Sequence, residues 1–456
     1  MTAVAEVRLW GSLIGAVSLE DEAPAATFQY NSAFVPSGIE ISPLMMPLSS
    51  RLYQFPALPT NSFHGLPGLL ADSLPDRFGN VLIDAWLATQ GRQPESFTAV
   101  ERLCYTGTRG MGALEYRPIA GPRLRASKKV SLDALVALAS EVLTHRNSLQ
   151  ASFSPRRRHA SLTEILRVGT SAGGARAKAI IAWNPLTQEV RSGQVQAPPG
   201  FGYWLLKFDG VRANKDKELE DPQGFTVIEY AYSLMAQAAG IRMSECRLLE
   251  EGGRRHFMTR RFDRLDGGGK LHMQSLAALA HFDFNAAGAH SYEQAFDVMK
   301  RLQLPMAALE EQFRRMLFNV VARNQDDHVK NIAFLMDRSG AWSLSPAFDV
   351  MYAYNPAGQW TSRHQMTING KSDEFEPEDF RACAATVGLK RGRDRDLLAE
   401  VVSAVREWPR FAQEAGVLVS QRDAIARAHR MYLQPALRRR TRSPARGAGR
   451  RRVNKP

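Results

Sequence analysis

A polar cluster in the second half of the chain combines residue types that phosphoryl transfer requires. In the segment 324–331 (NQDDHVKN), Asp326 and Asn331 have the D-x-x-x-x-N spacing in which a carboxylate orients a hydroxyl nucleophile and an amide oxygen binds Mg²⁺. Asp349, in the segment 345–350 (SPAFDV), follows a predicted hairpin and is a candidate second metal ligand. A capped loop with solvated charges is the structural alternative for the 324–331 cluster.

Three further candidates precede this cluster. A glycine-rich segment, 169–178 (GTSAGGARAK), can bring consecutive backbone N–H groups close to phosphate oxygens. Lys207 lies in an apolar strand, where its ammonium requires an anion, and Glu229 near the start of the next helix can pair with it. Taken singly, these are also typical of a turn, a lysine that reaches solvent and a carboxylate that complements a helix dipole. Together they follow the order of parts in protein kinases.

Hydrophobic periodicity predicts the elements that would hold these residues. In the strand that contains Lys207, this residue shares a face with Tyr203 and Leu205. The predicted strands are 7–11, 26–30, 179–183 and 203–208, the predicted helices are 81–87, 226–239 and 309–321, and a predicted hairpin joins 332–336 to 341–344. The remainder of the chain after this hairpin region, up to about residue 433, is predicted to be helical, with an interruption at Pro409.

The net charge of +13 is concentrated at the C-terminal end. The chain has 456 residues, with 59 Lys and Arg against 46 Asp and Glu. The segment 438–456 holds eight Arg, one Lys and no acidic residue, which leaves four net positive charges to everything before it. Because this segment has almost no apolar residues, we predict a disordered basic tail over 436–456. It is either a solvated arm or one that attracts RNA or DNA without sequence preference.

Composition argues against several other classes of protein. The chain is 44% hydrophobic and 23% charged, as globular proteins are. Cys104, Cys246 and Cys383 are far apart and lack CxxC spacing, which argues against a disulfide framework and a thiolate metal site. Neither a signal peptide nor a run of ~18 apolar residues is found. We expect roughly three folding units in a cytoplasmic protein without a membrane partner.

Seven strings in the sequence resemble those of the HipA-like serine/threonine kinase toxins of type II toxin–antitoxin systems. They occur in the family's order over about residues 5–420, and the basic tail lies outside the resemblance. The strings are LPDRFG (74–79), GMGALEY (110–116), GTSAGGARAK (169–178), WLLKF (204–208), RFDR (261–264), NQDDHVKN (324–331) and SPAFDV (345–350).

The resemblance implies an α+β fold class, a two-lobed protein-kinase-like fold with a small β-rich N-terminal subdomain and a mostly helical C-terminal lobe. It implies ATP and Mg²⁺ as cofactors and transfer of the γ-phosphoryl group to a Ser or Thr hydroxyl. The expected domains are the N-terminal subdomain (1–120), the N-lobe with the glycine-rich loop (121–265), the helical C-lobe with the catalytic loop (266–435) and the tail (436–456).

The resemblance also implies roles for individual residues. Asp326 is expected to be the catalytic base, Lys207 to pair with phosphate groups, and Asn331 and Asp349 to bind Mg²⁺. Ser171 is expected to be autophosphorylated, which would add roughly −2 charge where the ATP phosphates must sit and so inactivate the kinase. The expected nucleotide-binding residues are Gly169, Thr170, Ser171, Ala172, Gly173, Gly174, Lys207, Glu229, Arg261, Phe262, Asp326, His328, Lys330, Asn331 and Asp349.

Two parts of the family pattern need comment. The string RFDR resembles the hinge that binds adenine through its backbone, and it follows Arg260 where many relatives carry Glu. This change need not abolish ATP binding. For Asp327 and His328 we favour a structural role in hydrogen bonding, because no second His or Cys accompanies them at metal-ligand spacing.

The implied partners are a protein substrate, either a translation factor or an aminoacyl-tRNA synthetase, and a HipB-like helix-turn-helix antitoxin that brings the chain to DNA indirectly. Two other functions stay open. One is a kinase-shaped co-repressor that acts with the antitoxin on DNA, to which the basic tail would add phosphate contacts. The other is a metal-dependent phosphohydrolase in which Asp326, Asp327, His328 and Asp349 hold two divalent ions, although this leaves Lys207 unexplained.

Overall fold

The computed structural model of this chain describes residues 2–121, 127–144, 176–211, 224–265 and 267–433. The glycine-rich residues 169–174, among them Ser171, and the basic tail 436–456 lie outside the described residues. Their roles therefore stay predictions from the sequence.

The N-terminal region is built on a five-stranded antiparallel sheet. Along its first strand Ala5, Val7 and Leu9 are buried and the intervening residues are more exposed, as the alternation of side chains in a strand requires. The strands are β1 (Ala3–Leu9), β2 (Ser12–Leu19), β3 (Thr27–Tyr30), β4 (Leu52–Tyr53) and β5 (Leu114–Arg117), in the order β4-β3-β2-β1-β5. The helices are α1 (Thr60–Phe63), α2 (Gly68–Ala71), α3 (Arg77–Thr89) and α4 (Ala99–Thr106).

A second five-stranded antiparallel sheet holds Lys207 at the end of one of its inner strands. The register places Lys178 directly opposite Lys207 on the neighbouring strand. The strands are β6 (Lys178–Trp183), β7 (Val190–Ser192), β8 (Gly202–Lys207), β9 (Cys246–Glu251) and β10 (Arg254–Arg260), in the order β7-β6-β8-β10-β9. Helix α5 (Leu132–Thr144) precedes this sheet in the chain, and helix α6 (Phe225–Ala238) follows β8.

Helix α3 belongs to the N-terminal region in sequence but packs in the core of the second sheet. Its buried apolar residues, Phe78, Leu82 and Ile83 among them, share one hydrophobic cluster with Ile181 and Leu206. Burial of each such side chain contributes about 1.5–3 kcal/mol. The N-terminal region and the second sheet are therefore joined by a common core, and the boundary at residue 120 stays a prediction.

The C-terminal region is mostly helical and forms the largest hydrophobic core. Its longest helix buries the predicted stripe of Leu309, Phe313, Met316, Leu317, Val320 and Val321. The helices are α7 (Leu276–Ala280), α8 (Tyr292–Arg301), α9 (Met306–Val321), α10 (Pro377–Val387), α11 (Arg393–Arg406), α12 (Trp408–Ala415) and α13 (Val419–Ala428). The strands are β11 (His272–Ser275), β12 (His290–Ser291), β13 (Ala333–Met336), β14 (Trp342–Leu344) and β15 (Met366–Thr367), in the sheets β11-β13-β14 and β12-β15.

The predicted elements agree with the structure to within a few residues. Pro409 divides the C-terminal helices as expected, since α11 ends at Arg406 and α12 begins at Trp408. The predicted first strand extended too far, because Trp10 and Gly11 form a turn with φ of 50° and 86°. A β-rich N-terminal region and a mostly helical C-terminal region are present, as predicted.

Among the described residues, no helix is both long enough and apolar enough to cross a membrane.

Candidate functional site

The ammonium of Lys207 lies between one buried carboxylate and one partly exposed carboxylate at the end of β8. Its Nζ is 2.7 Å from Oε1 of Glu229 on α6 and also donates a hydrogen bond to Oδ1 of Asp349. The side chains of Lys207 and Glu229 are 9% and 3% exposed, so both charges are almost fully removed from water. A buried ammonium is stable only when an anion compensates it, and here two elements distant in sequence supply the anions.

These ion pairs favour the charged forms of Lys207 and Asp349. Burial alone would lower the pKa of Lys207, but Asp349 and Glu229 outweigh it and raise this pKa above its ordinary value. Burial would likewise raise the pKa of Asp349, but Lys207 and Lys178 hold it down to about 2. The lysine is therefore an ammonium and Asp349 a carboxylate throughout the neutral pH range.

Asp349 also has a constrained backbone. Its φ is 53°, in the left-handed region that residues with a side chain seldom adopt. Such conformations persist only where the surroundings hold them, and they concentrate at functional sites. Here the ion pair with Lys207 fixes the side chain of Asp349.

Asp326 and Asn331 are fixed relative to each other. The Nδ2 of Asn331 donates to the backbone oxygen of Asp326 over 2.8 Å. The indole N–H of Trp360 donates to Oδ1 of Asp326 over 2.6 Å. The side chain of Asp326 is 28% exposed, so its carboxylate is accessible from solvent.

The segment that carries Asp326 is tied to its surroundings through its backbone. The hydroxyl of Tyr232 donates to the oxygen of Ala322, the residue that follows α9, over 2.7 Å. The N–H of Gln325 donates to the oxygen of Ala353 over 3.0 Å, and Arg323 accepts from the N–H of the same residue over 3.0 Å. Helix α6, through Tyr232, and the chain after Asp349, through Ala353, thus both hold this segment in place.

Asp327 has a structural role in hydrogen bonding, as predicted from the sequence. It is 3% exposed, and it accepts hydrogen bonds from the Tyr292 hydroxyl (2.8 Å), the Gln365 N–H (2.9 Å) and Nδ1 of His364 (2.8 Å). The guanidinium of Arg430 contacts Nε2 of the same histidine over 2.9 Å. Because arginine only donates, Nε2 must accept, which assigns the proton of a neutral His364 to Nδ1.

His328 and Lys330 follow Asp327 in the same segment. Nε2 of His328 is 3.9 Å from Oδ1 of Asp326, and its buried Nδ1 has no hydrogen-bond partner among the described residues. The structural hydrogen bond expected for His328 is therefore not seen in that part of the chain. The Nζ of Lys330 lies 4.8 Å from the ring centroid of Phe284.

A small cavity lies between Asn331 and Asp349. It has a volume of about 30 Å³, and Asp349, Asn331 and His328 all line it. Asn331 presents an amide oxygen and Asp349 a carboxylate, the oxygen ligands that Mg²⁺ prefers when substrate phosphates supply the rest of its coordination. The residues present therefore fit a Mg²⁺ ion bound together with a nucleotide.

The side chains of the residues assigned to the hinge make structural contacts, and the predicted role of their backbone in nucleotide binding stays a prediction. The guanidinium of Arg261 forms a two-pronged ion pair with Asp263, with distances of 2.9 and 2.7 Å, and its backbone N–H donates to Tyr203. Asp263 also accepts the N–H of Gly112 from the N-terminal region over 2.7 Å. The side chain of Arg261 thus holds two regions together. Phe262 packs against Phe348, with ring centroids 5.7 Å apart.

Sequence reasoning missed several residues of the site. Trp360, His364 and Arg430 gave no local signal, because their partners lie between 34 and 66 residues away. Asp76 stood inside a quoted string, LPDRFG, but was given no role. The structure pairs it with Lys178 at the start of β6.

Comparisons with known proteins identify the family and the fold of this chain. The family model described as the HipA-like C-terminal domain matches residues 170–408, and the model described as the HipA N-terminal domain matches residues 5–117. No curated protein matches the sequence.

Among solved structures, HipA of Shewanella oneidensis MR-1, from a complex of HipA, HipB and its operator DNA, is 17% identical with a TM-score of 0.64, and the match covers 94% of this chain and 96% of that one. The Helicobacter pylori proinflammatory kinase CtkA is 12% identical with a TM-score of 0.33, over 51% of this chain and 89% of its own. The family resemblance and the fold class predicted from the sequence are confirmed.

The network around Asp327 predicts a pH-dependent loss of stability. Burial opposes the charged form, but His364 and the hydrogen-bond donors outweigh it and lower the pKa of Asp327 below its ordinary 3.8. Because this pKa is lower in the folded state than in the unfolded state, the ionised carboxylate of Asp327 stabilises the fold above about pH 4. This contribution is lost as the carboxylate is protonated at lower pH. Asp327→Asn should therefore cost about 2–3 kcal/mol in urea unfolding at pH 7.

The difference between wild type and Asp327→Asn should shrink as the pH falls below about 4. Asp297→Asn, on the exposed face of α8, is the matched control and should change stability by less than about 0.5 kcal/mol. A cost at pH 7 no larger than that of the control would contradict the structural role of Asp327.

Proposed function

The chain belongs to the family of proteins with a HipA-like C-terminal domain, and on this premise we propose that it is an ATP- and Mg²⁺-dependent serine/threonine protein kinase. The observation that carries the proposal is the contact of the buried Lys207 with Glu229 and Asp349. Protein kinases require a strand lysine paired with a helix glutamate and an aspartate that holds the metal. The three residues here lie on the corresponding elements.

Each residue would have a defined task. Lys207, oriented by Glu229, would bind phosphate oxygens of the nucleotide through its ammonium. Asp326 would accept the proton of the Ser or Thr hydroxyl, and the indole of Trp360 would keep its carboxylate in place. Asn331 and Asp349 would hold Mg²⁺, which supplies charge neutralisation at the phosphate oxygens when it is bound.

The substrate and the regulation follow from the family resemblance. We propose a component of translation as the substrate, with an aminoacyl-tRNA synthetase as the first candidate, and autophosphorylation at Ser171. Substrate choice depends on surfaces that the motifs do not describe, so the synthetase is one arm of the test below.

A decisive variant is Asp326→Asn. Removal of the base should lower phosphoryl transfer at least about 10²-fold, while ATP binding changes only a few-fold because Asp326 acts on the hydroxyl. The measurement is incorporation of labelled phosphate from ATP and Mg²⁺ into the protein itself and into added synthetases, with nucleotide affinity from calorimetry. Asp337→Asn, in the exposed turn between β13 and β14, is the control and should match wild type.

The kinase assignment would be wrong if neither Ser171 nor any added synthetase gained phosphate and Asp326→Asn behaved like wild type. Release of phosphate from simple monoesters without ATP would instead favour a phosphohydrolase. The structure argues against that alternative, because Asp327 is engaged in its own network. Among the described residues, no group of three or more His, Cys, Asp or Glu is placed to hold a metal ion.

A second candidate function is compatible with the first. HipA of S. oneidensis was solved with HipB and its operator DNA. We propose that this chain likewise binds a HipB-like helix-turn-helix antitoxin and reaches DNA through it, with the basic tail adding phosphate contacts.

Deletion of residues 438–456 should reduce the salt dependence of DNA or RNA binding, because fewer counterions are released when the tail is absent. Binding measured at several salt concentrations gives the slope for the full-length and the shortened chain. Equal slopes would show that the tail does not contribute to nucleic-acid binding.

A further inference from the structure

A buried ion pair links the N-terminal region to the start of β6. The Nζ of Lys178 lies 2.9 Å from Oδ2 of Asp76, and the two side chains are 2% and 3% exposed. Lys178 is the first residue of β6, and in sequence it is the last residue of the glycine-rich segment 169–178. A buried ion pair of this kind requires favourable geometry, because both charges lose their hydration.

The register of the sheet places this pair beside the site. Lys178 and Lys207 are directly opposite each other on β6 and β8, so their side chains share a face and lie about 5 Å apart at Cβ. Two like charges in this position repel each other unless anions separate them. Glu229 and Asp349 form ion pairs with Lys207, and Asp76 forms one with Lys178. The lowered pKa of Asp349, to which Lys178 contributes, agrees with this placement.

Asp76 is itself rigidly held. It is the N-cap of α3, and its Oδ1 accepts the N–H of Gly79 over 2.6 Å. The apolar face of α3 is packed in the core that it shares with the second sheet. One carboxylate oxygen therefore caps the helix while the other faces Lys178, so the position of the ammonium is set by a helix of the N-terminal region.

We propose that Asp76 is a positioning residue for phosphoryl transfer, which acts by holding the ammonium of Lys178 beside Lys207 at the face where phosphate groups bind. The inference rests on the proposed kinase function. An ammonium has three N–H donors, so Lys178 can retain Asp76 while it contacts a phosphate oxygen. The N-terminal region is then part of the catalytic machinery, through one carboxylate.

The first test is Asp76→Asn. Asparagine caps a helix as well as aspartate does, so this variant can keep the cap on α3 through its amide oxygen. Its NH2 group then faces Lys178 in place of a carboxylate oxygen, so the ammonium loses both the negative charge and the acceptor that held it. We expect the KM for ATP to rise at least tenfold while kcat changes less than threefold. Asp84→Asn is the matched control on the same helix, since Asp84 pairs with Arg102 at 3.2 Å and is one-third exposed. It should leave both constants within twofold of wild type.

The second test separates positioning from stability. Asp76→Asn alone leaves Lys178 buried without its anion and lowers the urea midpoint. The double variant Asp76→Asn/Lys178→Gln replaces the ion pair by two neutral amides and should recover most of that midpoint. If Lys178 acts at the phosphate site, the double variant stays at least tenfold impaired in KM for ATP.

The outcomes are distinct. A wild-type KM in Asp76→Asn, or a KM restored together with stability in the double variant, would reduce the pair to a structural contact and overturn the proposal. A lower KM in Asp76→Asn would also overturn it, since Asp76 would then compete with phosphate for Lys178. If the wild-type chain neither binds ATP nor transfers phosphate, the proposed function fails and this inference with it. If it does both and only Asp76→Asn has no effect, the kinase assignment stands.

Discussion

The structure of the site depends on the cost of burying the ammonium of Lys207. A charge removed from water is stable only beside an opposite charge, and partner loss at a buried ion pair typically costs 3–5 kcal/mol. Glu229 and Asp349 supply those charges from a helix and from a loop, 22 and 142 residues farther along the chain. The contact therefore fixes the second sheet, α6 and the loop of Asp349 relative to one another. Asp349, one of the two partners, has a left-handed backbone conformation.

The segment that contains Asp326 is anchored by the hydrogen bonds of the neighbouring residue Asp327. Asp327 faces inward to Tyr292 and His364, while the adjacent Asp326 faces the partly exposed side of the segment. Because consecutive residues point in different directions, one carboxylate can anchor the loop while its neighbour is available to a substrate. This division explains why two adjacent aspartates need not be two ligands of one metal ion.

Much of the fold and of the candidate site could be predicted from the sequence. The rest could not, for a physical reason. Periodicity gave the strand of Lys207, the helix of Glu229 and the long helix before Asp326, since these depend on local patterns of burial. The chemistry of an apolar strand also predicted that Lys207 needs an anion. The partners Trp360, His364, Arg430 and Asp76 could not be found in this way, because each depends on contacts between distant segments. Arg261 was assigned to a hinge that binds adenine through its backbone, and this role stays a prediction, with which the ion pair of its side chain with Asp263 is compatible.

The most direct test of the account is a crystal structure of the chain with Mg²⁺ and a non-hydrolysable ATP analogue. We expect the metal to be bound by Asn331 and Asp349, and the ammonium of Lys207 to contact a phosphate oxygen while it keeps its contact with Glu229. A nucleotide bound away from Lys207, or a metal held by Asp326 and Asp327 instead, would contradict the assignment of this site to phosphoryl transfer.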